Sequence, residues 1–129
     1  MDVFSTSSNI NYQLAKKQLD SVALRQKALS ANIANSQTPH YKRQDVDVNF
    51  ETHLASLIEQ GAIDEFEKAT PQIKIDSQRS ANTHGNNVEL DRELLYMQEN
   101  NIRYQFLLKV TDEILKTTKN AITGNSFQG

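Results

Sequence analysis

The sequence predicts a mainly α-helical fold, in which long N- and C-terminal helices pair as a coiled coil with a small irregular or short-strand insert between them. Two observations support this fold class. The residues that most often break helices occur only at Pro39, Pro71, Gly61, Gly85, Gly124 and Gly129, which leaves two long uninterrupted stretches. Both stretches carry apolar residues at alternating spacings of three and four, which is the pattern of a helix with one buried stripe.

The length of 129 residues allows one domain. We expect a single domain over residues 1–129, with an N-terminal helix at about 8–38, an insert at 39–87 and a C-terminal helix at 88–124. Hydrophobic residues make up 37% of the chain, below the ~45–50% of an ordinary globular domain. The sequence therefore favours an elongated or assembled shape over a sphere with a large core.

The N-terminal stripe begins after three candidate N-cap residues, Ser7, Ser8 and Asn9. It consists of Tyr12, Ala15, Leu19, Val22, Gln26, Leu29 and Ile33. Pro39 predicts the end of this helix, because the residue before a proline is driven out of the α region.

The C-terminal stripe consists of Leu94, Met97, Asn101, Tyr104, Leu108, Thr111, Leu115, Thr118 and Ile122, and it is broadened by Leu107, Val110 and Ile114. Asn101 and Thr111 indicate an interface that selects a register at some cost in stability. The spacing of Glu99 with Arg103, and of Asp112 with Lys116, predicts ion pairs along the helix. Gly124 is a natural C-terminal stop.

The insert is less regular. Val46, Val48 and Phe50 alternate as in a short strand, and so do Ile73 and Ile75. A short amphipathic helix that ends at Gly61 is predicted by the spacing of Phe50, Leu54, Leu57 and Ile58. The segment from Gln78 to Asn87 is rich in Ser, Asn and Gly, and we expect it to form an exposed loop.

The composition disfavours several classes of function. A net charge of −2 does not suit a nucleic-acid-binding protein, and the absence of cysteine excludes disulfides, thiol nucleophiles and Cys-based zinc sites. His40, His53 and His84 lack the spacing of metal ligands. The carboxylates of Asp45 and Asp47, and of Glu89, Asp91 and Glu93, are more simply solvated or helix-capping groups than acid–base catalysts. We therefore expect no enzyme activity, no cofactor, no metal and no small-molecule substrate.

A specific motif closes the N-terminal helix. The segment 31–41 reads A-N-I-A-N-S-Q-T-P-H-Y and resembles the signature of bacterial flagellar rod and hook proteins, A-N-x-A-N-x-x-T-P-G-Y. The signature positions are Ala31, Asn32, Ala34, Asn35, Thr38, Pro39 and Tyr41. His40 stands where the family usually has glycine, so a turn that needs a glycine-only conformation is not expected here.

A second resemblance covers residues 85–93 and 99–105, where the matching positions include Asn87, Val88, Asp91, Glu93, Asn100 and Tyr104. This block is closer to the proximal rod proteins than to other members of the family. The short insert agrees, because distal rod and hook proteins of this family carry larger inserted domains.

The resemblance implies a structural subunit of the proximal rod, which polymerises helically and forms the drive shaft that crosses the periplasm and transmits torque. The implied partners are FlgC and further rod proteins, the adaptor FliE, the membrane (MS) ring, the flagellar type III export apparatus and other copies of the chain. The implied route is export without a cleaved signal peptide. Helix packing and assembly are then expected to use Tyr12, Leu19, Val22, Leu29, Ile33, Leu94, Met97, Tyr104, Leu108, Leu115 and Ile122.

Three alternatives remain at this stage. Periodicity alone also allows a soluble coiled-coil adaptor or a flagellar export chaperone. A small wall-cleaving hydrolase would need a catalytic constellation, which the sequence does not display. Within the same family, the related proximal rod protein FlgC would share these motifs.

Overall fold

Two long helices flank a small insert of two short helices and two short strands. A computed structural model describes residues 3–123, and in chain order its elements are α1 (Val3–Ala34), β1 (Gln44–Val46), α2 (Phe50–Glu59), α3 (Ile63–Lys68), β2 (Ile73–Ile75) and α4 (Leu90–Thr123). The predicted fold class is confirmed. The predicted helix stop at Gly124 lies outside the described residues.

Helices α1 and α4 pack against each other in antiparallel orientation. Near the end of α1, the Asn32 amide binds the carboxylate of Glu93, close to the start of α4. Further back along α1, the carbonyl of Val22 accepts a hydrogen bond from Asn100. Asn11 and Ile114 line one groove between the two helices. Residues near the end of α1 therefore contact the start of α4, and residues near the start of α1 contact the later part of α4.

Helix α1 is offset from its predicted bounds at both ends. It begins at Val3, so Ser7, Ser8 and Asn9 lie inside the helix and their assignment as N-caps was wrong. It ends at Ala34, before the predicted end at residue 38. There the side-chain amide of Asn35 donates to the carbonyl of Ala31 at 2.8 Å, which satisfies one of the last helical carbonyls.

The two strands form one antiparallel sheet, in which Gln44 pairs with Ile75 and Val46 with Ile73. Strand β2 occurs where the alternation of Ile73 and Ile75 predicted it. The predicted strand through Val46, Val48 and Phe50 was wrong beyond Val46, because Val48 lies in an exposed turn and Phe50 begins α2. A turn at this point lets Phe50 enter an apolar cluster that a continued strand would not reach.

The insert has its own small apolar cluster, made of Phe50, Leu54, Leu57 and Phe66, and Leu14 of α1 packs against it. Helix α2 was predicted correctly, and it stops where Gly61 adopts a positive φ of 70°. Helix α3 was not predicted, because its single buried residue, Phe66, leaves no periodic signal.

The insert is held against the helix pair by polar contacts as well. Lys17 of α1 donates to the carbonyls of Glu67 and Ala69 at the end of α3, at 3.0 and 2.8 Å. Arg103 of α4 forms an ion pair with Glu51 of α2. The predicted pairing of Arg103 with Glu99 was therefore wrong, since the guanidinium reaches across to the insert instead. The insert covers one side of the helix pair.

Candidate functional site

The two segments that resemble the flagellar proteins meet in one buried cluster. Its members are Asn32, Arg43, Asn86, Asn87 and Glu93, all 4% exposed or less, and we call them the polar clasp. They come from α1, from the chain before β1, from the loop before α4 and from α4 itself. The clasp therefore joins both long helices to the insert, at the end of the helix pair where α1 ends and α4 begins.

Asn32 uses its whole side-chain amide. Its Nδ2 donates to Gln44 O at 2.7 Å and to Glu93 Oε2 at 3.0 Å, while its Oδ1 accepts from Gln44 N at 2.8 Å and from the Tyr41 hydroxyl at 3.1 Å. Burial raises the pKa of Tyr41, and the negative charge of Glu93 raises it further. Asn32 thus links α1 to the chain at residues 41–44 and to the start of α4.

Arg43 is the cation of the clasp. Its Nε donates to Glu93 Oε1 at 2.7 Å, and its two terminal nitrogens donate to Asp76 at 3.0 Å and Asp45 at 3.1 Å. Its main-chain N–H donates to Asn87 Oδ1 at 2.7 Å. Burial alone would lower the pKa of Arg43, but the bonds to the three carboxylates raise it above its ordinary value, so it stays charged.

The ion pairs of Arg43 also affect its carboxylate partners Asp76 and Asp45. Burial favours a higher pKa for Asp76, but the hydrogen bond and the charge of Arg43, together with main-chain hydrogen bonds from Gln78 and Arg79, outweigh burial and hold that pKa below its ordinary value. Asp45 is shared between Arg43 and Arg25, at 3.1 and 3.0 Å. The sequence did not single out Arg43 or Asp76, because their partners lie far away along the chain.

Asn86 closes the end of α1. Its Nδ2 donates to the carbonyls of Asn35 and Thr38 at 2.9 and 2.8 Å, and its Oδ1 accepts from the main-chain N–H of Val88 at 2.7 Å. The prediction of an exposed loop was therefore wrong at Asn86 and Asn87, which are both 2% exposed. A polar composition gave no sign that these amides turn inward.

His40 adopts the left-handed conformation with φ of 63°, in the place of the usual glycine. An L-residue can take this conformation at a cost of roughly 1–2 kcal/mol, so the turn after Pro39 places a histidine in the left-handed region that glycine favours. The main-chain N–H of His40 donates to the carbonyl of His84 at 2.8 Å. A Cβ at Gly85 would come within 2.8 Å of His40 Nδ1, so the imidazole occupies the space beside this glycine.

The other signature positions have more modest roles. Thr38 Oγ1 donates to Asn35 Oδ1 at 3.0 Å, and Ala31 accepts the bonds that end α1. Ala34 and Pro39 are exposed. In the second block, Val88 is half-buried and Asp91 is exposed.

The seam between the long helices contains a buried asparagine of α4, but it is Asn100 and not the predicted Asn101. Asn100, 2% exposed, donates to Val22 O and to Gln26 Oε1, both at 3.0 Å. Asn101, which the spacing indicated as the register residue, is exposed. Gln26 interrupted the predicted apolar stripe of α1, and its amide is the partner of Asn100.

The predicted stripe of α4 was wrong for most of its large residues. The side chains that face α1 closely are Glu93, Asn100 and Leu107. Exposure of 39% or more is found at Leu94, Tyr104, Leu108, Leu115 and Ile122. Relative to the predicted orientation, α4 is rotated about its axis by one residue, or about 100°. This rotation brings Glu93 into the clasp and leaves the predicted apolar stripe beside the seam.

The predicted stripe of α1 agrees better with the structure. Ala15, Val22 and Leu29 are at most 3% exposed, and Tyr12, Leu19 and Ile33 are half-buried. On α4, Met97 is half-buried as well. The predicted ion pair of Asp112 with Lys116 is present at 3.0 Å.

Several acidic side chains of the described residues are paired with cations. Within residues 3–123, no group of three His, Cys, Asp or Glu side chains is placed to hold a metal ion. Asp45 and Glu93, considered above as acid–base candidates, are engaged by guanidinium groups, and Asp47 pairs with Lys74 at 2.9 Å. None of the described helices is long and apolar enough to cross a membrane.

Comparison with known proteins adds the family. The chain is 31% identical over 123 residues to the flagellar basal body rod protein FlgB of Escherichia coli K12, which covers 80% of this chain and 86% of that protein. It is 31% identical to FlgB of Cereibacter sphaeroides, with 78% of this chain and 84% of that protein covered. The chain belongs to the FlgB family of flagellar basal body rod proteins.

Other FlgB proteins are similar over most of their length. That of Bacillus subtilis strain 168 is 29% identical over 132 residues, which covers 96% of this chain and 98% of the relative. No family model matches the chain. The polar clasp lies within a chain that is similar to FlgB over most of its length, and the FlgB relatives carry the name of a rod protein, not that of an enzyme.

Proposed function

We infer that this FlgB-family chain is a structural subunit of the flagellar basal body rod. Similarity to rod proteins over most of the chain carries the inference. A cytoplasmic adaptor or an export chaperone is not favoured, because the similar proteins are rod proteins. The same names favour FlgB over its relative FlgC.

We further propose that the subunit belongs to the proximal rod and polymerises helically with other rod proteins. The proposal is supported by the distribution of apolar surface. Among residues 9–123, whose side chains the structure describes, the exposed large apolar side chains all lie on α4, apart from Val48 and Ile75. A helix that is apolar on several sides is normally buried, and one partner helix, α1, covers only one side of α4.

The exposed row Leu94, Leu108, Leu115 and Ile122 is central to this proposal. The members lie one or two heptads apart, and they border the seam with α1. A row with this spacing suits packing against a further helix. In a rod that crosses the periplasm and transmits torque, such contacts would come from other copies and from FlgC, FliE or the MS ring.

Delivery is part of the same proposal. A subunit of a rod in the periplasm has to leave the cytoplasm, and the flagellar type III export apparatus is the proposed route, without cleavage of a signal peptide. We predict that the chain found in the basal body keeps its encoded N terminus. Mass spectrometry of purified basal bodies measures this.

Deletion of the gene, followed by electron microscopy of basal bodies, tests the function. We expect the membrane ring to remain and the hook and filament to be lost, with recovery on complementation.

Complementation by Leu108→Asp or Leu115→Asp should fail although export continues, because a charge enters an assembly surface. Val48→Asp is the matched control, since Val48 is 84% exposed on the insert. Normal flagella in the deletion strain would refute the function, and swimming of the Leu115→Asp strain would refute the proposed surface.

A further inference from the structure

Helix α4 carries two rows of side chains that suit the same surface of α1. The inner row faces α1 and comprises Glu93, Asn100, Leu107 and Ile114, of which the first three are buried and the last is half-buried. The outer row lies one residue further along the chain at each position and comprises the exposed residues Leu94, Asn101, Leu108 and Leu115. Successive helical residues are about 100° apart, so a one-residue rotation of α4 exchanges the two rows.

The two rows have the same chemistry at three of their four positions. Each row has an asparagine in second place, followed by two large aliphatic residues seven and fourteen residues later. Asn100 donates to Val22 O and Gln26 Oε1, both at 3.0 Å, and the same acceptors suit the amide of Asn101. The surface of α1 therefore discriminates weakly between the two orientations of α4.

The structure leaves room for this rotation. An open cavity of about 320 Å³ borders the seam on the side of the outer row, and its lining residues are Val22, Ala23, Gln26, Asn100, Asn101 and Tyr104. Rotation of α4 by one residue would carry Asn101 and Tyr104 from the wall of the cavity into the space beside Val22 and Gln26. The outer row would thus enter the seam without displacing another part of the described chain.

The first turns of α4 are where the two orientations differ. Glu93, which is fully buried, pairs with Arg43 at 2.7 Å, whereas the outer row has Leu94 at this position. The ring of Tyr96 lies 5.4, 5.5 and 5.8 Å from the guanidinium groups of Arg25, Arg43 and Arg79. A one-residue rotation would withdraw the carboxylate and the ring from these cations.

One further contact opposes the rotation, the ion pair of Arg103 with Glu51. Both partners are partly exposed, and ion pairs at the surface contribute little to stability. The pair of Arg43 with Glu93 differs, because breaking a buried ion pair leaves an uncompensated charge inside the protein. It is therefore the contact that distinguishes the two orientations most strongly.

We propose that α4 has a second packing orientation on α1, rotated by one residue, and that the Arg43–Glu93 pair holds α4 in the present one. In the second orientation, α1 covers Leu94, Leu108 and Leu115, while Leu107 turns toward solvent. The ion pair thus acts as a conformational lock that keeps the outer row uncovered. The inference does not depend on the proposed function, because it concerns the packing of a single chain.

The test moves the carboxylate by one residue. The exchange Glu93→Leu/Leu94→Glu keeps the composition, and a rotation of α4 by one residue restores the ion pair with Arg43. The chain has no cysteine, so Leu107→Cys or Leu108→Cys supplies a single thiol. The rate of its alkylation by N-ethylmaleimide, divided by the rate for the same chain unfolded in urea, measures its exposure.

The two thiols should exchange their protection. In the parent sequence the thiol at 107 should be protected and the thiol at 108 should react, because Leu107 is 5% and Leu108 44% exposed. In the exchanged sequence, the ratio of the rate at 108 to the rate at 107 should fall about tenfold or more, since protection follows burial. Glu89→Leu/Leu90→Glu is the matched control: it exchanges the same residue types at exposed positions and should leave the ratio unchanged.

A second variant, Arg43→Leu/Glu93→Leu, removes the lock altogether. Replacement of a buried ion pair by apolar side chains is often tolerated, so this variant should keep its helices. Without a carboxylate that selects one row, the thiols at 107 and 108 should be protected to similar extents. Circular dichroism of each variant measures whether the helices are retained.

The results separate clearly. An unchanged ratio in the exchanged sequence, or two thiols that react as in the unfolded chain while the helical signal persists, would overturn the inference. If the exchanged sequence loses its helical signal, the second variant decides: similar protection at 107 and 108 supports the inference, and the protection pattern of the parent refutes it. Loss of helix in both variants would refute it as well, because a second packing orientation would have retained the helices.

Discussion

The side chain of Asn32 pairs with the main chain of Gln44 as a neighbouring strand would. It donates to the carbonyl at 2.7 Å and accepts from the N–H at 2.8 Å. The outer edge of β1 is thereby closed by an amide of α1, and an unpaired strand edge is avoided at this point. The same amide binds Glu93, so the sheet, α1 and α4 are linked through one residue.

Replacement of Asn32 by leucine should destabilise the chain by about 2 kcal/mol or more, because Gln44 and Glu93 lose partners and each unpaired buried polar group costs about 1–3 kcal/mol. The measurement is urea unfolding followed by circular dichroism. Asn11→Leu is the control, since Asn11 is an exposed asparagine of the same helix. Equal unfolding midpoints for the two variants would contradict the role assigned to Asn32.

Glu93→Gln should lower the free energy of unfolding by about 3 kcal/mol, the low end of the cost of breaking a buried ion pair, because Arg43 keeps its bonds to Asp45 and Asp76. Glu89→Gln is the matched control. Glu89 pairs with Arg92 on the surface of the chain, where an ion pair contributes about 0–1 kcal/mol. If both variants lost the same small amount, the Arg43–Glu93 pair would not anchor α4.

Gly85→Ala should cost more than Gly61→Ala. Both glycines have positive φ, at 78° and 70°, but only Gly85 lies against another residue, His40, while the space around Gly61 is open. The strain from φ is shared by the two positions, so the difference in unfolding free energy measures the contact with His40.

A double-mutant cycle checks this assignment. In a His40→Gly background the excess cost of Gly85→Ala should largely disappear, because the imidazole is gone. An excess of the same size in both backgrounds would assign the cost to something other than His40.

Stability should fall as the pH drops below about 4, the pKa of an aspartate in an unfolded chain. Burial raises the pKa of Asp76, but the hydrogen bonds that its carboxylate accepts, first of all from Arg43, and the charge of Arg43 leave that pKa depressed in the folded chain. A depressed carboxyl pKa stabilises the fold above the unfolded value, and this stabilisation is lost as the pH falls through the folded value. Asp76→Asn should therefore flatten the acid limb of an unfolding profile measured between neutral and acidic pH.

The control for the acid limb is Asp91→Asn, because Asp91 is an exposed carboxylate of α4. This variant should keep the slope of the unmodified chain. An unchanged slope in Asp76→Asn would show that the contact with Arg43 does not govern acid stability.

The sequence by itself determined the helical class, the helix stop at Gly61, strand β2 and the resemblance to flagellar rod proteins. These features depend on periodicity, on glycine and proline, or on a contiguous motif, all of which are local. The burial of Val22 and Leu29 followed from the same spacing, since both lie on the centre of one apolar stripe.

Only the tertiary structure decided which side of α4 meets α1. The apolar row at Leu94, Leu108 and Leu115 has the stronger hydrophobic signal, yet the seam uses Glu93, Asn100 and Leu107. The reason is that Glu93 finds a buried cation in Arg43, and Asn100 finds acceptors at Val22 and Gln26. Such partners are distant in the chain, so spacing within one helix cannot reveal them, and the apolar row is left exposed.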